Sequence, residues 1–148
     1  MSTRGRIKAI SVSEKKGTQK TNVPEATLKN DFGIVGDAHA GPWHRQVSLL
    51  ASESIDKMLA MGANVAPGAF AENVTTESID LLRLTIGDRV RLGEKVELEI
   101  TQLGKKCHSH CEIFKQVGDC IMPREGIFAK VTKGGSIHVG DAIEIIND

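Results

Sequence analysis

Arg89-Val90-Arg91-Leu92-Gly93-Glu94-Lys95-Val96-Glu97-Leu98-Glu99-Ile100-Thr101 is the stretch that decides the fold class. Val96, Leu98 and Ile100 alternate with Glu97, Glu99 and Thr101, a period of two that buries one face and wets the other. Gly93-Glu94 breaks this strand from Arg89–Leu92, and the pair reads as an antiparallel hairpin. Upstream, Ile86-Gly87-Asp88 launches the hairpin. Val139-Gly140-Asp141 launches a second alternating run with Ile143 and Ile145 in the same way. Two Gly-Asp turns, each opening a strand, mark a small β-barrel more readily than a duplicated binding motif.

Working outward, Ile7–Val12, Gln46–Ala51, Phe70–Thr75 and Ile127–Thr132 are further strand candidates. Lys133-Gly134-Gly135 reads as a hairpin turn and lacks the frame of a phosphate-binding P-loop. Residues 53–61 form the clearest helix, with Ser52 as N-cap, Glu53 in the first turn and Gly62 as the stop. Ser78–Leu82 predicts a short helical turn, and residues 18–44 read as irregular and polar. So long a stretch without regular structure is either functional or hides elements. Nothing marks a linker, so residues 1–148 are expected to form one domain, mainly β and barrel-like, with one or two helices.

Composition bounds the partners. Nineteen Lys and Arg balance nineteen Asp and Glu, whereas a chain that lives on a phosphate backbone carries a basic excess. Four Phe, one Trp and no Tyr are too few for a base-stacking platform, so nucleic acid is not the expected partner. No apolar run approaches the ~20 residues of a membrane helix. No signal-peptide core follows Arg4 and Arg6. Three cysteines, an odd number, exclude a closed disulfide framework within the chain. The expected setting is a reducing cytoplasm.

Chemistry concentrates in Lys105-Lys106-Cys107-His108-Ser109-His110-Cys111, directly after the long strand, with Cys120 beyond. Cations beside Cys107 stabilise a thiolate, the form that attacks and that binds metal. Three readings stand: buried structural cysteines, a zinc site from Cys107, Cys111, Cys120 and His108 or His110, and a reactive thiolate that carries sulfur or holds a soft metal centre. A second cluster is Gly36-Asp37-Ala38-His39-Ala40-Gly41-Pro42-Trp43-His44-Arg45-Gln46. It reads equally as an anion-binding rim with Arg45 as the fork and as a solvated turn. In Gly68-Ala69-Phe70-Ala71-Glu72-Asn73, the acid and amide either orient a ligand or cap a strand end.

The ordered set Gly36-Asp37-x-His39, Arg45-Gln46-Val47, Gly68-x-Phe70-x-Glu72-Asn73, Ile86-Gly87-Asp88 and a cysteine after a long strand resembles the MOSC domain, the C-terminal module of molybdenum-cofactor sulfurases. The resemblance runs from about residue 31 to residue 145. It implies a barrel-like domain that binds the molybdenum–pyranopterin cofactor, with Cys107 carrying a persulfide or ligating molybdenum. It also implies that His39, Arg45, Glu72, Asn73, Lys105, Lys106 and Arg124 contact the cofactor. At 148 residues, the chain is not expected to contain the pyridoxal-phosphate desulfurase domain of full-length sulfurases. Sulfur would therefore come from a separate cysteine desulfurase and pass to a molybdoenzyme or a cofactor-biosynthesis protein. The alternatives are a molybdenum-dependent reductase component with the metal on Cys107, and a non-catalytic module that presents cofactor or is stabilised by zinc.

Overall fold

A computed structural model describes residues 3–15, 20–104 and 125–146. The hairpin forms as the alternation requires, with β7 (Arg89–Leu92) against β8 (Val96–Leu103). Val90 faces Leu98 and Leu92 faces Val96 on the core side, while Arg89 faces Glu99 and Arg91 faces Glu97 on the wet side. Opposite charges across the strands add a few tenths of a kcal/mol per pair, about 0.2–1 at most; the core face does the larger work.

From this hairpin the sheet extends both ways until it closes. In spatial order it runs β11 (Ala142–Ile146), β7, β8, β9 (Ile127–Lys133), β5 (Val47–Ala51), β6 (Val74–Glu77) and β1 (Arg4–Val12), and β1 returns to pair with β11. Seven strands thus form a closed barrel, which removes the open edges that invite aggregation. The first half of β1 closes onto β11 through Arg4–Arg6, and its second half takes the short β2 (Thr21–Val23). Ile7, Leu49, Val74, Val90, Leu92, Leu98, Ile100, Ala129, Val131 and Ile143 fill the interior.

β5 is buried along its whole length because it is covered on both faces. Val47, Leu49 and Ala51 point into the barrel, and Leu50 meets Ile55, Met58 and Phe70 beneath the helix α1 (Ser52–Ala60). That helix carries the crossover to β6, the parallel partner of β5. The two Gly-Asp turns share one geometry. Gly87 and Gly140 have φ of 97° and 96°, and the Asp88 and Asp141 carboxylates each accept the amide three residues back, Thr85 and His138. The strands they launch, β7 and β11, pair with one another.

Several expectations need correction. Ser52 is the first helical residue rather than the cap. β5 runs straight into α1 through Ala51, and no side chain caps the start. Residues 70–73 are not strand, since the Glu72 carboxylate curls them into a turn and β6 begins at Val74. Residues 18–44 are less irregular than they read, because β3 (Glu25–Lys29) and β4 (Gly33–Ile34) form a second sheet with β10 (Gly135–His138). Their apolar signal was thin: along β3 only Leu28 is fully buried, and its partner strand lies more than a hundred residues away. Lys133–Gly135 is no hairpin, because β9 and β10 belong to different sheets and the chain changes sheet at Gly134. The Gly134 amide is held there by Asn30 Oδ1 at 2.6 Å. The helical turn expected near Ser78 falls at Leu81–Arg83.

Candidate functional site

The loop between β4 and β5 is built around a buried carboxylate. Asp37 Oδ1 accepts the Ser13 amide at 3.0 Å and Lys20 Nζ at 2.8 Å, and Oδ2 accepts the His39 amide at 3.0 Å. Neither the Lys20 nor the Asp37 side chain is exposed. Burial alone would raise the Asp37 pKa, but the neighbouring His39 ring, the Lys20 ammonium and the amides of Ser13 and His39 outweigh it. The carboxyl is held well below the usual carboxylate range. A buried, paired charge is costly to strip of one partner, so this contact fixes three segments of chain to one another.

On that anchor stands a row of rings. His39 Nδ1 lies 3.6 Å from Asp37 Oδ2, too far for a hydrogen bond, and is buried with no hydrogen-bond partner among the described residues. The His39 ring stacks on Trp43, with centroids 6.3 Å apart and planes within 6°. Trp43 Nε1 donates to the His39 carbonyl at 2.7 Å, locking the indole in place. The Arg45 guanidinium sits 4.8 Å from the Trp43 ring centre and 5.6 Å from that of Phe128. Aromatic faces attract a cation without satisfying its N–H donors. Arg45 Nε is buried and has no hydrogen-bond partner among the described residues. The result is a positive, half-buried side chain with one buried donor, Nε, unpartnered among the described residues.

This cluster abuts the end of β8. His44 Nε2 bonds Gln102 Oε1 at 2.7 Å, the His44 carbonyl accepts the Thr101 hydroxyl, and Gln102 pairs with Phe128 across β8 and β9. Gln102 Nε2 reaches the Gly104 carbonyl, and the Gly104 amide bonds Gly126 at 2.6 Å. Gly104 and Gly126 are therefore bonded neighbours at the end of β8 that abuts the His44 side of this cluster.

Glu72 and Asn73, adjacent in sequence to a similar Gly-rich turn, occupy a different kind of place. Glu72 accepts the amides of Gly68 and Phe70 and the Thr75 hydroxyl, at 2.9 to 3.1 Å. Burial pushes its carboxyl up, against the opposing pull of those donors. Asn73 donates to the Ser11 carbonyl and accepts from the Ser48 amide and hydroxyl. Both side chains are fully enclosed and spend their polar atoms on nearby backbone and on the Thr75 and Ser48 hydroxyls. Gly68 completes the link: its carbonyl accepts the Lys20 amide, its φ is +96°, and a Cβ there would sit 2.6 Å from the Lys20 carbonyl. Lys20 is thus gripped by its backbone at the Glu72 turn and by its ammonium at Asp37.

The structure brings His39 and Arg45 together through Trp43. It encloses Glu72 and Asn73 in a separate turn, linked to Asp37 through Gly68 and Lys20. Lys105, Lys106, Cys107, Arg124 and the zinc-site candidates His108, His110, Cys111 and Cys120 lie outside the described residues. Among the described residues no three His, Cys, Asp or Glu side chains could share a metal ion, and no helix is long and apolar enough to cross a membrane. Sequence reasoning passed over Lys20, Phe128 and Gln102, which carry no local motif. Trp43 had a signal, being the only tryptophan and lying in a loop of glycine, histidine and arginine.

Comparison with known proteins agrees with this architecture. The MOSC domain family matches residues 36–144. Among solved structures, the YuaD protein from Bacillus subtilis is similar with a TM-score of 0.79 at 19% identity, covering 96% of this chain and 95% of that one. YiiM from Geobacillus stearothermophilus is similar with a TM-score of 0.70 at 18% identity, covering 97% of this chain and 75% of that one. YiiM from Escherichia coli gives 0.65 at 18% identity, with 97% and 70% covered. No curated protein sequence matches this one. At these identities the solved structures speak for the fold alone.

Proposed function

The chain belongs to the MOSC domain family, and from that premise we propose that it binds the molybdenum–pyranopterin cofactor at the Arg45 end of the barrel and carries sulfur on Cys107. One observation carries the reading. The unsatisfied Arg45 fork lies against the strand pair from which the chain departs for Cys107. From Gly104 to Cys107 the chain reaches at most about 11 Å, at ~3.6 Å per extended residue. That short tether supports a thiol working on an anion held at the same end of the barrel.

The residues present fit the group. Arg45 Nε, buried and without a partner among the described residues, calls for an acceptor such as a phosphate oxygen. The His39 and Trp43 rings stack on one another beside it, both half-buried. Lys105, Lys106 and Arg124 are proposed as further cationic contacts, with Glu72 and Asn73 bracing the turn that grips Lys20. The cofactor, when bound, supplies a molybdenum centre able to take sulfur as a ligand. The protein's own step is thiol exchange. The Cys107 thiolate attacks the outer sulfur of a persulfide R–S–SH on a donor, the donor's S–S bond breaks, a new S–S bond forms on Cys107, and R–S⁻ departs.

The test is intact mass after incubation with a cysteine desulfurase and cysteine. The wild-type chain should gain one sulfur, and Cys107→Ala should gain none. An unchanged wild-type mass would remove the carrier role. About one molybdenum per purified chain with no gain of sulfur would favour instead a reductase component with the metal on Cys107.

A further inference from the structure

We propose that Lys20 and Asp37 are positioning residues that fix the tautomer of His39, keeping its ring proton on Nδ1 and its lone pair on Nε2. The inference rests on the preceding reading only in assigning that lone pair to the cofactor site; its physical basis is independent.

A neutral imidazole carries one proton on either of two nitrogens, and the environment of one nitrogen decides the state of the other. His39 Nδ1 is buried and faces Asp37 Oδ2 at 3.6 Å. The His39 amide bonds the same oxygen at 3.0 Å, which fixes the backbone from which the ring projects beside that carboxylate. Were Nδ1 unprotonated, its lone pair would oppose a carboxylate oxygen in a site that water does not reach. With the proton on Nδ1, the N–H dipole points at negative charge, and in low dielectric that difference is large. The ring's own surroundings reinforce the arrangement, since stacking on Trp43 holds its plane.

This works only while Asp37 stays ionised. A carboxylate with no exposed side-chain surface and no cation would take a proton instead. Lys20 Nζ, at 2.8 Å from Oδ1, supplies the cation. Ser13 Oγ accepts a second Nζ proton at 2.9 Å, so the ammonium is itself solvated by the protein. Asp37 therefore divides its oxygens: Oδ1 is committed to Lys20 and Ser13, and Oδ2 is left for the two His39 groups. The order is Lys20, Asp37, His39. The lone pair on Nε2 is the one then offered as a hydrogen-bond acceptor or a base.

The test uses the full chain, free of cofactor, labelled with ¹⁵N-histidine and held at a pH where imidazoles are neutral. Two-bond proton–nitrogen correlation distinguishes protonated nitrogens from lone-pair nitrogens, and His39→Gln identifies the His39 signals among the five histidines. The wild type should show a proton-bearing Nδ1 and a lone-pair Nε2. A proton on Nε2 would overturn the proposal. In the double variant Lys20→Met/Asp37→Leu, which removes both charges and is far better tolerated than loss of one, the signals should shift to the Nε2–H form. A folded double variant that kept the Nδ1–H form would overturn the role of the pair. Lys20→Arg, which retains the cation, should retain the wild-type pattern. Were the double variant to unfold, Asp37→Asn asks the same question with shape preserved and charge lost. None of these readings depends on sulfur uptake or molybdenum. A chain that shows the Nδ1–H form yet gains no sulfur would keep this inference and lose the proposed function.

Discussion

Two loops of this protein look alike as strings and behave differently as structures. Gly36–Gln46 and Gly68–Asn73 both mix glycines with an acid and polar neighbours, and each read equally as ligand rim or structural turn. In the second, Glu72 and Asn73 direct their polar atoms at nearby backbone and close the turn upon itself. In the first, Asp37 does the same work, yet His39 Nδ1 and Arg45 Nε are left buried without partners among the described residues. Buried polar groups are nearly always satisfied; the carboxylate of Asp37 faces His39 Nδ1, whereas Arg45 Nε is a buried donor with no acceptor among the described residues. One loop is framework throughout; the other is framework at its base and unfinished at its tip.

The contrast can be broken by mutation. The largest effect is expected at the base of the first loop. Asp37→Ala leaves the Lys20 ammonium buried without its counter-ion and should cost about 3–5 kcal/mol, read as a lower urea midpoint. In the second loop, Glu72→Gln puts an amide NH₂ among backbone donors. It should cost about 1–3 kcal/mol while leaving sulfur uptake on Cys107 intact. Loss of uptake in a folded Glu72→Gln protein would erase the distinction between the two loops.

The same acids predict opposite pH slopes. Asp37 titrates lower in the folded chain than in the unfolded one. Its contribution is full above the ordinary carboxylate range near 3.8 and is lost as pH falls below it. Glu72 titrates higher in the folded chain. Its contribution is full at acid pH and lost as pH rises through the elevated value. Urea unfolding across the acid range should therefore lose its low-pH decline in Asp37→Asn. In Glu72→Gln it should lose its compensating loss of stability toward neutral pH.

Smaller effects belong to the tip of the first loop. Arg45→Ala removes a cation held by two rings and should cost only about 0.5–2 kcal/mol of stability. It should nevertheless weaken binding of a phosphate-bearing pterin by roughly tenfold or more, since charge-assisted bonds are worth about 1.5–3 kcal/mol each. Trp43 is the only tryptophan, so its fluorescence reports binding directly. The smallest expected change is in His39→Gln: a stability shift within about 1 kcal/mol, with altered Trp43 emission from loss of the stacked ring.

Legibility in the sequence followed the range of the interactions. The β7–β8 hairpin was readable because alternation and its turn are local, and residues 89–101 contain everything that forms it. The same holds for the paired Gly-Asp turns, where a carboxylate bonds an amide three residues back. The second sheet was not readable, because β3 buries only Leu28 fully and pairs with a strand at 135–138. His39 and Arg45 were named from residue type and from resemblance to the MOSC family, but Lys20 could not have been. Its meaning comes from Asp37, seventeen residues on, and from Gly68, forty-eight residues on.

By itself, the sequence determined what short-range physics determines: a mainly β chain, a hairpin with one wet face, and the crossover helix within a residue. Tertiary structure alone decided which polar residues are spent and which are free. That division depends on where a carboxylate finds its donors once the barrel has closed, as β1 meets β11 and the Glu72 turn grips Lys20. Residue types announce what can bond; only the closed barrel says what is left over.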